Sequence, residues 1–307
     1  MYAPPPETTT EVFTRLPDEL RRDGHPSEWR DGQPGAQPPH SLLEGPSFDR
    51  DGNLWCVDIA FGRVFRITPG GEWHVVADYH GEPNGLKIHR DGRIFVADYR
   101  HGIVTVDPDT GKVTPVLERV RLERLKAVND LVFDSAGNLY FTDQGLTGWQ
   151  DPTGRVFRLR PDGRVDCLVD NVPSPNGLVL SLAEDALYVA VTRANAVWRL
   201  PFLADGTVAK VGTFIQMSGG GGPDGLALDE AGNLAVAHIG IGSVWLFSAQ
   251  GEPIRRIRSS AGRHTTNMAY GGPERRDLYI TESETGTILK ARLDTPGRLM
   301  FSHTGAP

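Results

Sequence analysis

Six oxygen-bearing residues head six similar stretches of the chain. Glu44 opens EGPSFDRDGNLWCVD, Asn84 opens NGLKIHRDGRIFVAD and Asn129 opens NDLVFDSAGNLYFTD. Asn176 opens NGLVLSLAEDALYVAV, Asp224 opens DGLALDEAGNLAVAH and Asn267 opens NMAYGGPERRDLYITE. Their starts lie 40 to 48 residues apart. Taken singly, Asn-Gly or Asp-Gly is turn chemistry, because these residues accept positive φ. Glu is a poor turn former, so Glu44 in the same register needs another account. If the repeats surround an axis, six carboxylate and amide oxygens converge on it. That set suits a hard cation, since Ca²⁺ takes roughly six to eight oxygen ligands at about 2.3–2.6 Å. Two carboxylates, Glu44 and Asp224, balance a divalent charge. No His or Cys belongs to the set, which speaks against a structural zinc site. One divalent ion is expected, Ca²⁺ first, with Mn²⁺, Zn²⁺, Mg²⁺ and Fe²⁺ as alternatives.

A second set closes the same stretches: Asp58, Asp98, Asp143, Val191, His238 and Glu282. These residues read either as loop and turn formers or as outer groups that orient the ligands of a metal. His238 titrates nearest neutrality and follows Asp224 by 14 residues. It reads as a substrate or proton-transfer contact, or as a structural group. The loops ahead of the first set carry Arg121, Arg124, Lys126, Gly219 to Gly222 and His264. A longer loop, GLTGWQDPTG, brings Trp149. Such loops set specificity when a rigid scaffold holds them; the plainer reading is solvent-exposed loop.

The elements that must hold these residues are short strands. Each stretch has a strand, a DG-, AG- or ED-type turn, and a second strand rich in β-branched and aromatic residues. A third strand follows, as in RVFRITP, RVFRLRP and SVWLFSA, and usually a fourth, as in WHVVADY and RVDCLVD. Four short antiparallel strands per roughly 45 residues mark a propeller blade. The expectation is an all-β, six-bladed β-propeller of four-stranded antiparallel blades around a central metal-binding channel. Residues 1–40 are expected to form an N-terminal arm and residues 41–307 the propeller. TEVFTRL near the start reads as the missing strand of the last blade, with RLMFSH near the end as the alternative. Residues 23–40, polar and rich in Pro and Gly, are expected to run over the surface.

Bulk properties narrow the function classes. The net charge is −7 and no long basic run occurs, so no nucleic-acid partner is expected. No apolar run nears a membrane span and MYAPPPETTTEVF lacks a signal-peptide layout, so no membrane partner and a cytoplasmic location are expected. The two cysteines, Cys56 and Cys167, form no disulfide or zinc pattern, and both are expected to be buried and inert.

EGP, ND, PNG and PDG occur in this order at blade spacing. In this the chain resembles the senescence-marker-protein/gluconolactonase/luciferin-regenerating-enzyme family, and also diisopropyl fluorophosphatase and the bacterial drug-responsive lactonases. The resemblance covers about residues 40 to 290. It implies Glu44, Asn129, Asn176 and Asp224 as the metal ligands, with Asn84 and Asn267 as outer or substrate-side groups. Asp130 could then orient Asn129. One departure stands out: animal-type sugar lactonases often carry Arg where this chain has Ala127. The implied activity is a gluconolactonase-like carboxylic ester hydrolase, opening a small lactone with Asp224 as base or nucleophile. The alternatives are a phosphotriester hydrolase of the fluorophosphatase type and a non-catalytic calcium-binding propeller.

Overall fold

The computed structural model describes residues 4–33 and 39–305. It is a six-bladed β-propeller of antiparallel sheets. The inner strands, in chain order, are Leu43–Phe48, Pro83–Ile88, Val128–Phe133, Pro175–Leu180, Gly222–Leu228 and Thr265–Gly271. Each inner strand packs beside the next, and the sixth packs beside the first. Blades 3 and 6 therefore face each other across the channel.

The blades hold together because every sheet has two apolar faces. The buried side chains fall into six clusters, one between each pair of neighbouring blades. Leu86, Val96 and Val104 of blade 2, for instance, meet Val57 and Val64 of blade 1. Burial of this kind contributes roughly 25 cal/mol per Å², and only a closed ring gives every blade two partners.

The last blade takes its outer strand from the N-terminus, Glu11–Arg15, antiparallel to Thr287–Arg292. Glu7–Thr9 adds a parallel fifth strand to blade 5. RLMFSH forms no strand; Phe301–His303 is a 3-10 turn whose Phe301 stacks on Phe133 with ring centroids 5.0 Å apart. The C-terminal segment thus crosses one end of the channel. The arm after Leu16 lies at the other end, against blades 6, 1 and 2. Ser27 donates to the Ala60 carbonyl, and Arg100 of blade 2 pairs with Glu28 on the short helix Glu28–Asp31. Residues 34–38 of the stretch expected on the surface lie outside the described residues.

The hairpin turns at the C-terminal-segment end follow from Asp-x-x-Gly-Asn. Asp49, Asp134 and Asp229 each accept the backbone N–H and the side-chain amide of the Asn four residues on. One expectation fails. Cys56 is buried, but Cys167 is exposed, because it lies on an outer strand whose residues only partly meet a neighbouring blade. No helix among the described residues is long and apolar enough to cross a membrane.

Candidate metal centre

The first hairpin of every blade carries one extra residue on its inner strand, within one residue of the same place. A bulge of this kind re-aims a side chain. It falls at Asn84, Asn129, Asn176 and Asp224 in blades 2 to 5 and directly after Glu44 in blade 1, and all five residues are 3–7% exposed. The residue that follows is Gly in four blades, for a packing reason. A Cβ on Gly45 would lie 2.5 Å from the Asn84 carbonyl oxygen, and one on Gly177 would lie 2.5 Å from that of Asp224. The repeated Gly lets each inner strand close on the next.

Register corrects the sixth member of the set. Thr266 holds the ring position in blade 6, and Asn267 stands one residue further on. The apolar anchor decides this, because Met268 takes the place of Leu86, Leu131, Leu178 and Leu226. Thr266 turns away from the axis and donates to the Leu43 carbonyl at 2.8 Å. Asn267 shares its register with Asp130, and these two replace the glycine in opposite blades. Asn267 Nδ2 donates to Asp130 Oδ2 at 3.3 Å and to Glu44 Oε2 at 2.9 Å. The pair forms a crossbar across the channel.

Three buried carboxylates thus feel one another's charge. Burial, then the charges of Asp224 and Asp130, raise the Glu44 carboxyl well above its ordinary value. Burial, then Asp130, push Asp224 up to about 8, against a hydrogen bond from Asn176 that pulls it down. Among the described residues no Lys or Arg bonds to Glu44 or Asp224. The amide protons of Asn129 and Asn267 are committed to protein acceptors. Asn129 Nδ2 donates to Tyr99 Oη and Gln144 Oε1, both at 2.9 Å. Tyr99 Oη also bonds with Asn84, and Gln144 Nε2 donates to Ser174 Oγ at 2.9 Å. Glu44 and Asp224, buried with no Lys or Arg bonded to them and beside amides whose N–H groups are spent, fit a hard cation. Among the described residues no three or more His, Cys, Asp and Glu side chains form a metal-holding group; the donors on the axis are largely amides.

Tyr99 and Gln144 escaped the sequence reading. Their only signal is position, each directly following an acidic residue that ends a second strand. The closing set itself points elsewhere. Asp58 accepts from Leu42 N and pairs with Arg63. Asp98 takes Tyr79 Oη and the backbone N–H groups of Glu82, Arg100 and His101. Asp143 takes the N–H groups of Lys126 and Ala127 and pairs with Arg155. Each of these carboxylates fastens the loops of its own blade. His238, 1% exposed, bonds to the Gly219 carbonyl through Nε2 at 2.8 Å. Burial lowers its pKa, and its Nδ1 has no partner. Trp149 is 69% exposed, and His264 is exposed on the loop ahead of blade 6.

Comparison with known proteins agrees with this architecture. Residues 42–284 match the family described as the SMP-30/Gluconolactonase/LRE-like region. The chain is 34% identical over 227 residues to lactonase drp35 of Staphylococcus aureus strain bovine RF122, covering 70% of this chain and 69% of that protein. The structure superposes on regucalcin, a calcium-binding protein of Agrobacterium tumefaciens, with TM-score 0.77 at 23% identity, covering 96% and 98% of the two chains. It superposes on a gluconolactonase of Xanthomonas campestris with TM-score 0.73 at 24% identity, covering 84% and 86%. At those identities the structural likenesses speak for the fold alone. The matched family region and the lactonase relative together show that this chain belongs to the SMP-30/gluconolactonase/LRE-like family.

Proposed function

We propose that the protein is a divalent-cation-dependent hydrolase that opens a small lactone. One observation carries the reading: Glu44 and Asp224 are buried in the channel with no Lys or Arg bonded to either, beside Asn129 and Asn267, whose amide N–H groups are committed elsewhere. The 34% identity to lactonase drp35 supports the substrate class. Glu44, Asn129, Asn176 and Asp224 would hold the cation. When bound, it would polarise the lactone carbonyl and stabilise developing negative charge there.

The chain's own residues supply the rest. Asn176 fixes Asp224 by a hydrogen bond. Tyr99 and Gln144 fix Asn129. Asp224 takes the proton of an attacking water as the new C–O bond forms, and returns it to the ring oxygen as the ester C–O bond breaks. The product is the open hydroxy acid. Asn267 and Asp130 close the channel beneath, so substrate would enter from the end that carries the N-terminal arm. Trp149, His264 and Lys126 stand on loops at that end and would meet the substrate's outer parts.

A lactone panel tests this, using chelated protein and protein given Ca²⁺, Mn²⁺, Zn²⁺, Mg²⁺ or Fe²⁺, with a fluorophosphate assayed alongside. Ring opening only with cation is the expected result. Turnover of the fluorophosphate alone would move the protein to phosphotriester chemistry. A bound cation with no turnover of either would leave a binding propeller.

The same carboxylates set a pH dependence. A carboxyl whose folded pKa is raised binds its proton more tightly folded than unfolded. Protonated Asp224 and Glu44 therefore cost the chelated protein nothing below about pH 4, the unfolded value. The penalty grows as pH climbs from there toward 8, where Asp224 titrates. The melting temperature of chelated protein is expected to fall between about pH 5 and 8, and Ca²⁺ to restore it. The gap between Ca²⁺-loaded and chelated protein should widen with pH; thermal melts with and without chelator measure it. An equal gap at both ends of the window would remove the carboxylates from the cation site.

A further inference from the structure

Lys87 has no counterpart in the other blades. Its register position is held by Ser47, Val132, Val179, Ala227 and Ala269, none of them charged. It lines a cavity of about 320 Å³ below the crossbar, otherwise walled largely by apolar side chains such as Leu178, Leu226 and Met268. An ammonium is costly beside apolar walls unless it is paired. Its pairing is upward: Nζ lies 3.8 Å from Asp130 Oδ1 and donates to the Leu86 carbonyl at 3.1 Å. Asp130 belongs to the axial cluster, since Asn267 joins it to Glu44 and its charge acts on both Glu44 and Asp224. Gly85 makes this approach possible, because a Cβ there would lie 2.6 Å from Asp130 Oδ1.

We infer that Lys87 sets the net charge of the cation site and so tunes it to a divalent ion. The inference rests on the cation site proposed above. Glu44, Asp130 and Asp224 bring three negative charges, Lys87 returns one, and the two that remain match a divalent cation. Arg193, in the 3-10 turn Thr192–Ala194, also attracts Asp224, but its own side chain is exposed and water screens it. Lys87 stands off the ligand set, on the far side of the crossbar. It acts through Asp130 as a positioning and charge-setting residue.

The test is cation affinity. Ca²⁺ and Tb³⁺ are titrated calorimetrically into chelated wild-type protein, Lys87→Met, Lys87→Arg and the double variant Lys87→Met/Asp130→Asn. Removing the ammonium should strengthen Ca²⁺ binding by about tenfold and Tb³⁺ binding by about thirtyfold, because the repulsion removed scales with the ion's charge. Lys87→Arg keeps the charge and should stay close to wild type. The double variant restores the charge balance and should return toward wild type for both ions. A purely structural lysine would give the opposite sign, with weaker binding in Lys87→Met. Wild type that binds both ions, beside a Lys87→Met variant with equal or weaker affinity, would overturn this inference alone. Should Lys87→Met fail to fold, a double variant with markedly altered Tb³⁺-to-Ca²⁺ preference would overturn it instead. Wild type that binds neither ion would overturn the cation site and this inference with it.

Discussion

Asp224→Asn is expected to lower kcat by about 10² or more, the scale on which a positioned acid–base group contributes. The amide keeps the shape of the side chain and one oxygen to accept from Asn176. The fold should therefore persist, and the chelated variant should melt higher than wild type, since burial and Asp130 oppose the Asp224 charge. Glu44→Gln should also melt higher when chelated, because Glu44 is raised by the same causes. The two variants part under excess cation. Glu44 is assigned only a holding role, so saturating cation should restore most of its kcat. Asp224→Asn lacks the group that takes the proton, so cation should restore little. Steady-state kcat against cation concentration for both variants decides the matter. Equal rescue would reduce Asp224 to a ligand. The attack would then need another base, and His238 is badly placed for it: it is 1% exposed and its Nε2 is held by the Gly219 carbonyl.

What the sequence revealed and what it hid divide along a physical line. The six blades were legible because β-hairpins announce themselves twice, in short runs of β-branched and aromatic residues and in turn chemistry such as Asp-x-x-Gly-Asn. The axial position was legible in five blades because a bulge holds one polar residue at a fixed offset from an apolar anchor. Blade 6 misled because Asn267 looks like the other Asn residues, whereas Met268 marks the true register one place earlier, at Thr266. Aligning on the anchor rather than on the polar residue would have found it. The roles of Asp58, Asp98 and Asp143 were hidden because a carboxylate at a strand end can face either the axis or its own loops. Only the three-dimensional path of those loops shows Asp143 spent on Lys126, Ala127 and Arg155. Tyr99, Gln144 and Lys87 were hidden for a related reason. Tyr99 and Lys87 meet Asn129 and Asp130 from a neighbouring blade, and Gln144 meets Asn129 from the loop beyond its own second strand, contacts that no strand periodicity marks.

The recurring glycine after the ring residue leads to the second large effect, and Gly225 is the sharpest case. A Cβ there would lie 2.1 Å from Asn267 Oδ1, 2.2 Å from its Cγ and 2.6 Å from its Cα. The side chain could rotate aside, but the backbone belongs to the inner strand of blade 6, which is fixed between blades 5 and 1. Overpacking in a core costs roughly 1–3 kcal/mol and sometimes more. With backbone as the obstacle, Gly225→Ala is expected at the upper end, about 3 kcal/mol or beyond. It should also weaken cation binding by about tenfold, the usual cost of disturbing a group that orients a ligand, because Asn267 holds Glu44. Gly212→Ala is the control: nothing lies within 4 Å of its Cβ position and its φ is not positive. That variant should stay within about 0.5 kcal/mol of wild type, as surface changes usually do. Adding Asn267→Ala to Gly225→Ala separates the two obstacles. It removes the side-chain clash and leaves the backbone clash, so it should recover part of the lost stability but not the cation affinity. Urea midpoints for the four proteins, read beside calorimetric Ca²⁺ titrations, measure both. Gly225→Ala as stable as Gly212→Ala would mean that the inner strands can part. Close approach of the strands would then no longer explain the recurrence of this glycine.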